Sequence, residues 1–282
     1  MTGVRVVEVD VADDEVDLAS GLLWSAGVTA VAEHPAPAGG VRLRAALPDG
    51  GVSAVEGAIE GRWAVRVVDV ADDGLDAWRA HAQVVTVGPR LVVRPPWVPL
   101  GPVVPGAVVV EVDPGAAFGH GAHPTTRLCL AAVEAMLAAR PGVTVLDVGC
   151  GSGVLAVAAA ALGAERVVAV DVDPVAIDVT RENAARNDVE AVVDARLVDA
   201  EDADDPLGAA PGRADLVVAN IGAGALRALA PHLRSRVGAD GRLVLSGLLD
   251  PPDAEVVAAH APLVEVRRAT EDGWVALTLA AP

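Results

Sequence analysis

The segment from Val145 to Pro174, VLDVGCGSGVLAVAAAALGAERVVAVDVDP, restricts the folds open to this chain more than any other stretch. An apolar, β-branched run from Val143 to Val148 is short enough to be a buried strand. It ends in Asp147-Val148-Gly149-Cys150-Gly151-Ser152-Gly153, where glycine recurs at every second position. A helix-like apolar stretch, Val154 to Leu162, follows, then a second apolar run from Arg166 to Val170 that ends at Asp171. Strand, glycine turn, helix, strand and acid form a parallel crossover with a nucleotide-type site at its carboxyl edge. Glycines admit a ligand close to the backbone because no Cβ intervenes. A carboxylate at the tip of the next strand accepts from two ribose hydroxyls.

The dinucleotide fingerprint Gly-x-Gly-x-x-Gly needs its third glycine where Val154 stands, and here that glycine arrives one residue early. A nicotinamide-binding oxidoreductase is therefore disfavoured, and an ordinary βαβ turn with glycine at the bend is the plain alternative. Asp147 followed by alternating glycines resembles the first motif of the S-adenosylmethionine-dependent methyltransferases, and the resemblance makes Asp171 the ribose acid.

With 282 residues the chain has room for about two domains, and 52% apolar content against 21% charged supports a sizeable core. No apolar run reaches the roughly 18 residues of a membrane span, and MTGVRVVEVDVADDE lacks a secretory pattern. Two cysteines, Cys129 and Cys150, make no disulfide framework and point to a reducing compartment. The expectation is a soluble cytoplasmic protein without membrane partners. Cys150 stands where the turn needs a small residue, not where a nucleophile is needed. The formal charge is −18 and every base except histidine is arginine, a composition that a GC-rich codon bias accounts for. Its field repels free nucleic acid and attracts a basic partner.

Before the central segment the chain alternates. Val4 to Val11 predicts a strand, Asp13 to Ala26 a helix stopped by Gly27, Val28 to Glu33 a strand, and His34 to Gly40 a loop. Val41 to Leu47 predicts a strand with one wet face, Val52 to Ile59 a helix, and Trp63 to Val70 a strand. That βαββαβ order is the ferredoxin-like arrangement and predicts a small α+β domain over 1–71. Between 72 and 106 the pattern weakens. Asp73 to His81 suits a short helix, and Val84 to Pro105 holds six prolines, which forbid a regular central strand. Arg90 to Arg94 is at most an edge strand there, in a connector that packs onto a second domain over 107–282.

Val108 to Val112 predicts a strand leading into DPGAAFGHGAHPTT, and Thr125 or Thr126 suits the cap of a helix over Arg127 to Ala139. His120 and His123 invite a metal, but no third ligand stands nearby, so no metal site is expected. Beyond the central segment, Asp173 suits the cap of a helix over Pro174 to Asn187, with proline first. Val192–Val198, Ala214–Ala219 and Gly241–Ser246 predict strands, and Leu226–Arg236 and Asp253–His260 predict helices. Leu263–Arg268 and Trp274–Leu279 predict a terminal hairpin, and Asp199 to Asp205 is an acidic run facing solvent. Ligands on such sheets bind beyond the carboxyl ends of the strands, where the glycine turn, Asp171 and Asn220 all fall.

The stretches DPGAAFGHGAHPTTRLCL, VLDVGCGSGVLAVAAAALGA, VDVDPVAIDVTRENAARN, ADLVVANIGAGALRALAPHL and LSGLL closely resemble the ribosomal protein L11 methyltransferases of the PrmA type, in register from about Asp113 to Leu249. RLVVRPPW, within the looser match from Trp78 to Trp97, resembles the family's pre-domain segment. The resemblance implies a Rossmann-like, seven-stranded class I methyltransferase domain preceded by a ferredoxin-like domain that recognises the substrate. It implies S-adenosylmethionine as cofactor and a basic ribosomal protein as acceptor. By position, Thr126, Gly149, Gly151, Asp171 and Asn220 match the family's cofactor contacts, while His120 and Ala122 stand where members usually carry threonine. Asn220 is also the expected catalytic residue, its amide holding the target nitrogen. Amide- and base-modifying relatives place Asn-Pro-Pro-Tyr there; this chain has Asn220-Ile221-Gly222-Ala223 and no tyrosine, which favours a tetrahedral lysine or N-terminal amine. No dedicated general base stands out, His123 being the one candidate. The remaining alternatives are another protein lysine, a small-molecule acceptor, or a non-catalytic module that binds S-adenosylmethionine.

Overall fold

β-branched alternation and short apolar runs supply the strands of two separate units. The computed structural model describes residues 4–12, 15–28, 30–37, 39–47, 51–70, 82–115, 121–199, 205–208 and 212–282. The first unit runs to Ala82 and the second from Gln83.

In the first unit, β1 (Val4–Val11), α1 (Val16–Ser25), β2 (Ala30–Pro35), β3 (Val41–Ala46), α2 (Val52–Ile59) and β4 (Val65–Val70) follow one another. The sheet is antiparallel in the order β2-β3-β1-β4, the split-βαβ arrangement. Period-two alternation sends Val7, Val9 and Val11 with Leu43 and Ala45 into a core shared with Leu23 and Val55. The other face carries ion pairs: Arg42 Nε to Asp10 at 2.7 Å, Arg44 Nε to Glu8 at 2.6 Å and Arg66 Nη2 to Asp10 at 2.8 Å. Arg42 and Arg66 hold the Asp10 carboxyl well below the ordinary carboxylate range.

The second unit corrects the expected connector. β5 (Val85–Val87), β6 (Leu91–Arg94) and β7 (Val108–Glu111) form a three-stranded sheet in which β6 is central rather than an edge, antiparallel to β5 and parallel to β7. The prolines permit this because they fall outside the strands, Pro89 in the turn and Pro95 onward after β6. The second unit therefore begins well before residue 107. The helix expected over Asp73 to His81 lies outside the described residues.

The main sheet comprises β8 (Thr144–Val148), β9 (Arg166–Asp171), β10 (Val193–Leu197), β11 (Ala214–Asn220), β12 (Val237–Leu249), β13 (Val264–Glu271) and β14 (Trp274–Ala280). Its order is β10-β9-β8-β11-β12-β14-β13, parallel from β10 to β12, with β14 antiparallel to both its neighbours. Among the described residues this unit has the helices α3 (Pro124–Ala139), α4 (Val154–Ala161), α5 (Pro174–Arg186), α6 (Ala223–Ser235) and α7 (Ala254–Ala259). Alternate strand residues feed different cores, Val145, Ala169 and Val218 with α3 and α4, and Leu146, Val170 and Val217 with α6 and α7. Burial on both faces explains why these strands read as unbroken apolar runs. Strand order reverses beside β8, the switch point at which such sheets bind ligands. Among the described residues no helix is long and apolar enough to cross a membrane.

Candidate active site

The turn after β8 requires its glycines. Gly149, Gly151 and Gly153 have φ of 74°, 54° and 76°, a left-handed region that side chains disfavour. A Cβ at Gly149 would lie 2.3 Å from Ile221 Cγ2, and one at Gly153 would lie 2.8 Å from the Thr180 side chain. The Gly149 and Cys150 amides donate to the Val170 carbonyl at 2.9 and 3.1 Å, drawing the turn against the end of β9.

Asp171 closes β9 at this edge. Its Oδ2 accepts from the Gly151 amide at 2.9 Å and its Oδ1 from the Asp173 amide at 3.0 Å. Each oxygen keeps a second lone pair with which to meet a ligand hydroxyl. Val172 and Leu197, 57% and 55% exposed, flank it as an apolar pair, Leu197 lying in register with Asp171.

Asn220 ends β11, and its Nδ2 donates to Thr126 Oγ1 in the first turn of α3 at 3.4 Å. Val148 and Ala219 are registered partners on β8 and β11, so Gly149 and Asn220 leave adjacent strands at the same level. All five residues expected from the sequence, Thr126, Gly149, Gly151, Asp171 and Asn220, thus stand at the carboxyl edge of the second unit's sheet.

Sequence reading missed the state of Asp147. Its side chain is fully buried, and among the described residues neither carboxylate oxygen has a hydrogen-bond partner. Burial, and next the charge of Asp171, push it up to about 7, while the Ala156 amide in the first turn of α4 acts the other way without reaching bonding geometry. Burial pushes the Cys150 thiol well above its ordinary value, with Asp147 and Asp171 adding to it, so no thiolate nucleophile forms there.

Two supports under the turn were also missed. Thr180 Oγ1 donates to the Gly151 carbonyl at 3.1 Å, and Asn183 Nδ2 donates to the Ser152 and Asp113 carbonyls, both at 2.9 Å. The available signal was the helical spacing of Thr180, Asn183 and Asn187, which lines up two polar side chains of α5 with that of its C-cap.

The cap of α3 is His123 rather than Thr125 or Thr126. Its Nδ1 accepts from the Thr125 amide at 3.3 Å and lies 2.8 Å from Thr125 Oγ1, and its ring meets Trp274 edge-on at 5.0 Å. That nitrogen is engaged in capping, which argues against His123 as a general base. Phe118 and His120 lie outside the described residues, as does 200–204 of the expected acidic run. Among the described residues no group of three or more metal-ligating side chains occurs.

A family model described as ribosomal protein L11 methyltransferase (PrmA) matches residues 57–282. A ribosomal protein L11 methyltransferase of Symbiobacterium thermophilum is 44% identical over 213 residues, 75% of this chain and 66% of that protein. Its counterpart in Geobacter sulfurreducens is 47% identical over 186 residues, 66% of this chain and 58% of that protein. The chain thus spans less than two thirds of the length of these curated relatives, 66% and 58%. The crystal structure of a ribosomal protein L11 methylase from Lactobacillus delbrueckii subsp. bulgaricus superposes with a TM-score of 0.62 at 31% identity, covering 70% of this chain and 98% of that one.

Proposed function

The chain belongs to the ribosomal protein L11 methyltransferase (PrmA) family, and from that premise we propose that it is an S-adenosylmethionine-dependent N-methyltransferase acting on lysine or N-terminal amines of ribosomal protein L11. The observation that carries this reading is the buried, unpartnered Asp147 carboxylate beneath a glycine turn whose next acid is Asp171. An uncompensated buried carboxylate is costly, and a cationic ligand group relieves it. S-adenosylmethionine fits that donor set: its ammonium suits Asp147, its ribose hydroxyls suit Asp171, and its adenine suits the apolar pair Val172 and Leu197. When bound, this cofactor supplies a sulfonium methyl already activated for displacement.

The protein's own residues orient the acceptor and exclude water. Asn220 commits Nδ2 to Thr126, which leaves its Oδ1 to accept a hydrogen from the target amine and turn the nitrogen lone pair toward the methyl. A low-dielectric surround disfavours the ammonium form of that amine and so frees the lone pair. The first unit recognises the acceptor. The chain's formal charge of −18 raises the encounter rate with a basic protein and discourages free nucleic acid. The enzyme works in the cytoplasm, with no membrane partner.

Incubation with labelled S-adenosylmethionine and purified ribosomal protein L11 tests the reading. Label appears on L11 amines, and a protein that binds the donor yet leaves L11 unlabelled sinks the acceptor assignment. The family match begins only at residue 57, so most of the first unit stands outside it. That favours, as a second reading, the same chemistry on another protein lysine, and labelling in a lysate with and without L11 separates the two.

A further inference from the structure

We propose that Thr180 and Asn183, both buried against the glycine turn, are positioning residues for the cofactor turn. The inference rests on the cofactor reading above. Both side chains are fully buried, and both bond the turn at consecutive carbonyls, those of Gly151 and Ser152, with Thr180 Oγ1 also 3.4 Å from Cys150 Sγ. A planar peptide holds its C=O and N–H in opposite directions. Fixing two successive carbonyls against α5 therefore fixes the amides that follow them, and with them the tilt of the whole turn. The contact is close: the Thr180 side chain fills the space that a Cβ on Gly153 would occupy.

The same helix is tied to the ribose acid. Asp173, its N-cap, accepts from the Val175 amide at 2.8 Å while donating its own amide to Asp171. Helix α5 thus holds Asp171 through its first residues and the glycine turn through Thr180 and Asn183. Asn183 adds a third attachment, accepting from the Asp113 amide at 3.0 Å and donating to the Asp113 carbonyl. One amide side chain thereby joins the exit of β7 to the turn.

Asn187 provides an internal control. It too makes three hydrogen bonds, with the Glu111 amide at 2.8 Å, the Glu111 carbonyl at 2.7 Å and the Asn183 carbonyl at 2.7 Å. None of them reaches the glycine turn. Asn187 is only partly buried, so the comparison is made at matched loss of stability: if Asn183 acted through stability alone, the two truncations would then weaken binding alike.

Calorimetric titration of the full chain with S-adenosylhomocysteine, at a temperature where each variant is folded, tests the proposal. Asn183→Ala weakens binding by at least about tenfold and Thr180→Val by about three- to tenfold, whereas Asn187→Ala changes it by less than about twofold whatever its fall in Tm. In turnover, KM for S-adenosylmethionine rises in step while kcat at saturating donor stays within about twofold. Thr180→Val keeps the side-chain shape, so it carries the comparison with Asn187→Ala if Asn183→Ala fails to fold. Unchanged binding in Thr180→Val and Asn183→Ala, or equal weakening by Asn187→Ala at equal Tm loss, overturns the positioning role. A parent protein that ignores S-adenosylhomocysteine overturns the cofactor reading itself, and the positioning role with it.

Discussion

Acids are buried on the open face of the first unit's sheet and at the carboxyl edge of the second unit's, and the two regions treat them in opposite ways. Glu8 is almost fully buried yet has Arg42, Arg44 and Arg66 around it, and Asp10 shares two of those arginines. Asp147 is fully buried with no hydrogen-bond partner among the described residues, and the charge that acts on it is another carboxylate, Asp171. Paired acids belong to a surface finished within the fold. An unpaired one costs folding free energy, and its retention where a ligand binds is the pattern of a site completed from outside.

The largest effect is expected at Asp171. Asp171→Ala removes one or two charge-assisted bonds to a ribose, each worth about 1.5–3 kcal/mol, so affinity for S-adenosylmethionine falls roughly tenfold or more per bond. Calorimetry reads it directly. Binding as tight as the parent's would remove the edge from the comparison altogether.

Asp147→Asn sharpens the contrast because it moves binding and stability in opposite directions. The folded carboxyl, at about 7, lies above its ordinary 3.8. The folded state therefore holds the proton more tightly, and the associated stability is complete below about 3.8 and lost as pH rises through 7. Within that window each pH unit is worth up to about 1.4 kcal/mol. Without cofactor, the parent's Tm drops relative to Asp147→Asn by several degrees between pH 5.5 and 8. The variant binds donor more weakly at pH 8 because its amide has no charge to set against an ammonium. Parallel Tm–pH curves for the two proteins would show that the carboxylate is already compensated.

His260 gives a smaller effect of opposite sign. It is fully buried, its Nδ1 is bonded to the Val256 carbonyl and its Nε2 has no partner among the described residues. Burial lowers it from 6.5, so below about pH 6.5 the unfolded chain takes up the proton first and stability falls as pH drops. His260→Gln flattens the acid side of the Tm–pH curve and leaves donor binding unchanged. A variant curve that still falls below pH 6.5 as steeply as the parent's would shift the acid sensitivity to other groups.

Much of the carboxyl edge could be read from residues alone, for a physical reason. Left-handed φ at Gly149, Gly151 and Gly153 restricts those positions to glycine, and strands buried on both faces advertise themselves as apolar runs. The small sheet of β5, β6 and β7 was obscured because six prolines crowd one segment, and composition does not reveal that they border the strands instead of interrupting them. His123 as a cap was hidden by the two threonines behind it, which are commoner caps. Asp147 was quoted as part of a motif, but whether an acid has a partner depends on what folds over it. Thr180 and Asn183 look like the wet stripe of a helix until the glycine turn is seen to lie on them.

The smallest effect tests the paired half of the comparison. Arg66 lies on β4, its side chain 45% exposed, 2.8 Å from Asp10 and 3.7 Å from Glu8. Removing it leaves both acids with Arg42 and leaves Glu8 with Arg44 as well, so neither becomes an uncompensated buried charge. Solvent screens what remains, and a pair this exposed contributes at most about 1 kcal/mol. Arg66→Ala therefore lowers Tm by no more than a few degrees, less at high salt than at low salt, and donor affinity does not move because the cofactor edge belongs to the other unit. A loss of several kcal/mol, or one indifferent to salt, would mean that Glu8 depends on this one arginine and that the first unit's acids are as poorly compensated as Asp147.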